Sequence, residues 1–583
     1  MRRTKIVCTI GPVSESVDRI QELLLAGMDV ARLNFSHGDH TTHKQYINTL
    51  KAAAKKLKRP LAIMMDTKGP EIRLGNFAGG KAVLTEGDTF TFTTYPVIGD
   101  CTRVQILHEM LPQDVHSGQI ILLADGAMAM EVQEITDTEV QCRVLNSGTL
   151  TDRNKLNLPG CKLTLPALSK QDVEDITFAV KNGVDFIAAS FIRSANNILE
   201  IRELLEQLNA NTPIIAKIEN SQGIKNIDSI LAVADGVMIA RGDLGVEIPA
   251  EEVPLIQKMI IKKANQLGKP VITATQMLES MVSNPQPTRA EASDVANAIL
   301  DGSDAVMLSA ETATGRYPTE AVSYMARIAK RMEEAQIYEQ SLRLRQLSED
   351  VSVTDAISYA TYTAVRSLGA SAVLVSTSSG YTARMIAKNR PRAPIVAATS
   401  SERVLRQLLL VWGVYPLLTK TTASTDQMIQ SVVRGALDHG YIKNGDLVVI
   451  TAGVPAGVPG STNLIKIQTV GEIVARGTGL GNTAVTGNVC LLRDASEGAE
   501  KFSPGQILVT HATDRTMVPF MKQAAAIVTI EGGLTSHAAL VGLDIGVPVV
   551  LGVKDALEVL RDGMVVTIDP VRGLIYRGQA QVR

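Results

Sequence analysis

The chain has 583 residues with 58 basic against 60 acidic side chains, and at roughly 150 residues per domain that length points to about four domains. The near-neutral balance leaves no basic stripe for nucleic acid, aromatic residues for base stacking are scarce, and no apolar run approaches the roughly 20 residues of a membrane span. Five scattered cysteines (Cys8, Cys101, Cys142, Cys161, Cys490) form no CxxC pair and no Cys/His cluster, which argues against a zinc site or disulfide framework and makes a soluble, cytoplasmic protein the expectation.

The N-terminal MRRTKIVCTIGP has two arginines and a short apolar run ended by Gly-Pro, so it reads as a first buried strand and not as a signal peptide. From there to about residue 340, Val/Ile-rich runs typical of strands buried on both faces alternate with stretches of helical period. The predicted strands are KIVCTI (5–10), DVARLN (29–34), LAIMMD (61–66), DFIAAS (185–190), IIAKIE (214–219), GVMIA (236–240), PVITAT (270–275) and AVMLS (305–309). Each is followed by a helical segment, except that a stretch rich in Thr, Val and Gly follows the third and reads as an inserted all-β lid. Eight such repeats are the count of a closed (β/α)8 TIM barrel, assigned to 1–69 and 167–342 with the lid at 70–166; a doubly wound open sheet is the alternative. A second α/β region is assigned to 350–472, including AVLVST, PIVAAT and DLVVITAG. The segment 474–583, with many Gly and Val, short strands and one helix after Ser536, reads as an appended β/α domain.

In such barrels chemistry gathers at the C-terminal ends of the strands. Strand 2 runs into Arg32, Asn34, Ser36 and His37, and strand 3 ends in Asp66 and Thr67. Strand 5 carries Lys217 and Glu219, two apart and so on one face. Strand 6 precedes Arg241, Gly242 and Asp243, strand 7 ends in Thr275, and strand 8 leads to Glu311. A doubly buried strand should be apolar, so each charge needs a partner or a task. Any single one has a structural explanation as an internal ion pair; six strand ends breaking the same rule point to a site. Glu219 and Asp243 suit a hard cation such as Mg²⁺, and Arg32, Arg73 and Lys217 supply charge for phosphate or carboxylate. Gly242 and Asp243 are expected in a turn whose N–H groups hold an anion. These parts fit phosphoryl transfer, and also a metal-dependent aldolase or lyase with Lys217 forming a Schiff base. His37 taken alone reads as a surface or capping residue, and Met277 and Met281 as packing on the barrel exterior.

The segments TKIVCTIGP (4–12), ARLNFSHG (31–38), DTKGPEIR (66–73), AKIENSQGI (216–224), ARGDLGVEIP (240–249) and TATQMLESM (273–281) resemble the signatures of the pyruvate kinase family, in the family's order. The resemblance spans about residues 1 to 472 and implies transfer of phosphate from phosphoenolpyruvate to ADP, giving ATP, in a homotetramer. It implies that Lys217 stabilises the phosphoryl group in flight and that Glu219 and Asp243 hold Mg²⁺ or Mn²⁺. By the same resemblance Arg32, Gly242, Asp243 and Thr275 bind phosphoenolpyruvate, Thr275 lying near the carbon that is protonated. Asn34, Ser36, Asp66 and Thr67 form a K⁺ cage, and Glu71 matches the K⁺-dependent members, where K⁺-independent ones carry Lys. Asn34, His37, Arg73 and the lid lysine Lys155 are assigned to the nucleotide; the family's Lys-Gly-Val-Asn is shortened here to KLN.

In the second α/β region, STSSGYTARMIAKNRP (376–391) runs from a strand through a Ser/Thr/Gly turn into a helix. The family's matching loop holds the phosphate of allosteric activators, so Thr377, Ser378, Ser379 and Thr382 are expected to bind a phosphorylated effector. EGGLTSHAALVGLDIGVPVVLG (531–552) resembles the swivelling phosphohistidine domain of phosphoenolpyruvate-utilising enzymes, with His537 at the position of the phosphate carrier. No ATP-grasp domain accompanies it, so a structural or subunit-contact role is expected.

Overall fold

Eight parallel strands close on themselves, each short and buried on both faces as an apolar run requires. They are β1 (Lys5–Thr9), β2 (Val30–Asn34), β3 (Ala62–Asp66), β4 (Phe186–Ala189), β5 (Ile214–Ile218), β6 (Gly236–Ala240), β7 (Val271–Ala274) and β8 (Ala305–Leu308). Their order is sequential around the ring, and β8 returns to β1 with Ala305 opposite Lys5. This is a computed structural model, and it describes residues 1–161, 164–335, 352–421, 424–453 and 462–580. Alternation along the strands builds two apolar layers. Val7, Val30, Met64, Ile215 and Met307 point into the barrel, while Ile6, Leu33, Ile63 and Ile239 face the helices, together with Met277 and Met281. The ring helices begin where the sequence supplies caps: Ser16, Asp39, Ser169 and Thr288 each accept a backbone N–H of the first turn.

The lid enters after β3 and leaves before β4. It is a seven-stranded sheet with a two-stranded ribbon, wrapped round its own core of Phe90, Phe92, Ile121, Met130 and Val140. Its strand Lys155–Asn157 pairs antiparallel with Ile72–Arg73, so the chain's entry and exit form one hinge, with Lys155 opposite Arg73.

The floor of the barrel is made by a remote segment. Residues 401–416 belong to the same compact unit as residues 1–351, although sequence periodicity places them in the second α/β region. Leu409 and Leu410 join the apolar cluster inside the barrel, and Trp412 joins the layer outside it. Around them the Gly413 N–H donates to the Arg3 carbonyl at 2.9 Å, Lys5 Nζ donates to the Val414 carbonyl at 2.6 Å, and Arg406 Nε meets Asp185 at 2.8 Å.

The second unit comprises residues 352–400 and 417–583. Its first sheet contains β9 (Ala372–Ser376), β10 (Ile395–Thr399), β11 (Leu447–Gly453) and β12 (Thr462–Thr469), in the order β10-β9-β11-β12. A separate eight-stranded sheet lies between Ile473 and Arg577, and there the helix His537–Ile545 starts behind its cap Ser536 as the sequence predicts. Among the described residues no helix is long and apolar enough to cross a membrane.

Candidate active site

The C-terminal mouth of the barrel holds a buried chain of alternating charges. Lys217, pointing inward from β5, places Nζ 2.9 Å from Asp66 Oδ1, 2.9 Å from Glu219 Oε1 and 2.7 Å from Ser190 Oγ. Arg32 on β2 donates from Nε to Asp66 Oδ2 at 2.5 Å and from Nη1 to Thr9 at 2.9 Å. Burial alone would push the lysine down, but Asp66 and Glu219 outweigh it and hold Lys217 above its ordinary value. Burial likewise opposes ionisation of Asp66, and Arg32 with Lys217 reverses that, leaving the carboxyl below its usual range. Lys217 is therefore a fixed ammonium. A Schiff base needs the free amine, so the aldolase alternative loses its nucleophile.

Glu219 sits one residue beyond β5, with Oε2 accepting the Phe191 N–H at 2.6 Å. Burial, and then the nearby charge of Asp243, raise its pKa despite Lys217. Asp243 receives Lys155 Nζ of the lid at 2.5 Å, and Glu71 lies 3.9 Å from the same nitrogen. Two hard carboxylates from adjacent strand ends, with an ammonium already drawn to one of them, fit a divalent oxygen-seeking cation.

The segment Arg241–Glu247 is a short helix, not the open turn expected from ARGDLG. Its Gly242 N–H donates to Thr275 Oγ1 at 2.8 Å, which links the first turn of this helix to the end of β7. Thr275 follows β7 with φ +67, and Gln276 with φ +53; a β-branched residue in the left-handed region is costly and must be held. Buried Arg241 does so, donating to the Thr275 carbonyl at 2.7 Å while bonded to Asp294 at 2.7 Å. A cleft of about 710 Å³ opens here between the lid and the barrel, lined by Asp125, Arg241, Asp243, Val246 and Gln276 among others. Glu311 faces backbone instead: burial raises its carboxyl, which accepts the N–H groups of Leu278 at 3.1 Å and Ser309 at 2.7 Å.

The oxygen-bearing residues expected round a monovalent cation meet at the ends of β2 and β3. Asn34 stands opposite Asp66 in register, Asn34 Oδ1 accepts the Ser36 N–H at 3.2 Å, and the Thr67 carbonyl accepts Ser190 Oγ at 2.7 Å. Their oxygen donors suit K⁺. Glu71 lies outside that corner, bound by Arg73 at 2.9 and 2.5 Å. His37 is exposed at the rim, its carbonyl accepting from His43 at 2.9 Å.

In the second unit Thr377 and Thr382 are buried and spend their hydroxyls internally, Thr377 on the Gly380 N–H at 2.9 Å and Thr382 on Thr462 at 2.7 Å. Ser378 and Ser379 are exposed at the tip of the same loop. His537 opens its helix with Nδ1 2.8 Å from Thr513 Oγ1.

Ser190 and Phe191 were not singled out by sequence, although both touch the charge chain. The signal was present, since Ser190 ends an otherwise apolar run at the mouth as Asp66 and Thr275 do. Phe191 gave none: its part is played by the backbone N–H and by a φ of +54.

Comparison with known proteins agrees with this geometry. Residues 1–322 match the family described as pyruvate kinase, barrel domain; 355–468 match pyruvate kinase, alpha/beta domain; and 502–573 match PEP-utilising enzyme, mobile domain. The chain is 50% identical over 585 residues to the pyruvate kinase of Bacillus licheniformis and 51% identical over 584 residues to that of Geobacillus stearothermophilus, with 100% of each chain covered. A crystal structure of a pyruvate kinase from Cryptosporidium parvum is similar with a TM-score of 0.75 at 40% identity, covering 80% of this chain and 96% of that one.

Proposed function

The chain belongs to the pyruvate kinase family, and on that footing we propose how its own residues move phosphate from phosphoenolpyruvate to ADP. The reaction breaks the bond between the phosphoryl group and the enol oxygen and forms one to the terminal phosphate of ADP; the enolate left behind takes a proton to become pyruvate. The observation that carries the assignment is the clamped ammonium of Lys217, fixed by Asp66, Glu219 and Ser190 at the barrel mouth. A charge held in place before the reaction needs no reorganisation when negative charge builds on the phosphoryl oxygens in flight. Such preset charge is usually the strongest aid a protein gives to phosphoryl transfer.

Arg32 adds a second fixed charge, its orientation set by Asp66 and Thr9, for the phosphate of phosphoenolpyruvate. Thr275 is held by Gly242 and Arg241 with its hydroxyl at the mouth, where it serves proton delivery to the enolate carbon. A divalent cation on Glu219 and Asp243 neutralises phosphate and enolate charge when bound, and K⁺ among Asn34, Ser36, Asp66 and Thr67 adds to the positive field. Arg73 and Lys155 serve the nucleotide from the lid, and Asn34 and His37 from the end of β2. Glu71 makes K⁺ dependence the expected behaviour. The loop Thr377–Ser379 with Thr382 takes a phosphorylated effector, and we place the enzyme in the cytoplasm as a homotetramer.

The test is pyruvate formation from phosphoenolpyruvate with and without ADP, in Mg²⁺ with either K⁺ or Na⁺. ADP-dependent turnover that falls sharply in Na⁺ supports the assignment of the mouth and of Glu71. Turnover indifferent to K⁺ removes the cage, and none in any mixture removes the site.

A further inference from the structure

We propose that His43 is a positioning residue for the nucleotide: its ring pins the His37 carbonyl and so aims the His37 side chain at the rim of the mouth. This rests on the reading that His37 serves ADP.

The turn that carries His37 leaves β2 at Asn34. The Asn34 carbonyl accepts the His37 N–H at 3.2 Å and Asn34 Oδ1 accepts the Ser36 N–H at 3.2 Å, which ties the turn to the barrel on one side. Gly38 then redirects the chain with φ +79, a conformation that favours glycine, and the helix His40–Leu57 begins behind its cap Asp39. His43 lies one turn into that helix. Helical side chains lean toward the N-terminus, so the ring reaches back past the cap and sets Nε2 2.9 Å from the His37 carbonyl. Both backbone polar groups of His37 are thus engaged, while its side chain stays exposed.

The His43 ring itself has little freedom. It is 3% exposed, stacks on Phe35 with centroids 3.9 Å apart and planes 9° from parallel, and meets Tyr46 edge-on at 6.1 Å. The His37 carbonyl can only accept, so Nε2 carries the proton. Nδ1 is buried with no hydrogen-bond partner among the described residues, so a second proton there would be a buried donor left unpaired. Burial, outweighing the bond to His37, keeps the ring below the ordinary histidine value in agreement. The one tautomer that fits the site is the one that holds the turn. An apolar ring would stack on Phe35 without leaving Nδ1 orphaned, so what the histidine adds is the hydrogen bond.

The test is steady-state kinetics of the full-length protein at saturating Mg²⁺ and K⁺. His43→Phe keeps the stack and removes the donor, so KM for ADP should rise about tenfold, with kcat and KM for phosphoenolpyruvate moving less than about twofold. His43→Gln restores an N–H donor and should recover most of that loss. His37→Ala should raise KM for ADP by itself, and adding His43→Phe to it should raise KM no further, because the aimed side chain is gone. Unchanged KM for ADP in His43→Phe, an equal shift for both substrates, or additive effects in the double variant overturns the proposal. If instead His37→Ala leaves KM for ADP unchanged, the nucleotide reading of His37 fails and the inference falls with it. A second readout is independent of turnover: solid-state nitrogen NMR of the protein labelled at histidine. The ring signals lost in His43→Gln should be those of a neutral imidazole protonated at Nε2; a ring protonated at Nδ1, or at both nitrogens, overturns the assignment.

Discussion

Lys217 shows how much a side chain's task depends on what surrounds it. With two carboxylates within 2.9 Å it stays charged through any physiological pH, so its value to the reaction is a fixed field. Lys217→Met should lower kcat by about 10³-fold with little change in KM for phosphoenolpyruvate, measured by pyruvate release. Thr275 offers a finer test. Thr275→Ser keeps the acceptor for the Gly242 N–H and should retain most turnover, whereas Thr275→Ala loses both it and the hydroxyl and should fall about 10²-fold. At this scale the sequence was legible wherever a charge interrupts an apolar strand, which is how Arg32, Asp66, Lys217 and Glu219 could be found. It was silent where the backbone acts, as with the Phe191 N–H and with the Gly242 N–H, which meets a side chain 33 residues away.

Among the elements, the eight strands were legible because doubly buried parallel strands write themselves as Val/Ile runs, and the caps marked the helix starts. What the floor segment covers could not be read, because the interior of a barrel carries no periodic sign of which distant residues fill it. Leu410 is fully buried there, and Leu410→Ala should cost about 2–5 kcal/mol, read from denaturant midpoints. Lys5 tests the floor's electrostatics. Burial lowers its pKa to about 8, against the pull of Asp29, while Nζ holds the Val414 carbonyl at 2.6 Å. In the unfolded chain Lys5 keeps its proton up to about pH 10.4, so between that value and the folded one the unfolded state binds more protons. Stability should therefore rise with pH from about 8 upward on account of this residue. Lys5→Met should flatten that rise, seen by comparing unfolding midpoints of the two proteins at about pH 7 and about pH 9.5.

On the scale of the whole molecule, the chain joins a catalytic barrel and lid to a second unit that ends in a mobile-domain relative. His537 has its Nδ1 committed to Thr513, and the barrel mouth already holds the charges the reaction needs. His537→Ala should leave ADP-dependent turnover unchanged; a loss of turnover in a folded variant would make the histidine a working carrier. The tail's identity was legible from one long motif, while its sheet, built from short and irregular strands, was not. The floor segment has a further consequence, for synthesis. Leu409 and Leu410 emerge from the ribosome long after the last barrel strand ends at Leu308. At 5–20 residues per second, about 100 residues of further translation mean roughly 5–20 seconds in which eight complete strands await their plug. During that interval the nascent barrel exposes an apolar lumen, so a chain stalled before residue 409 should bind chaperones that one released past residue 416 does not.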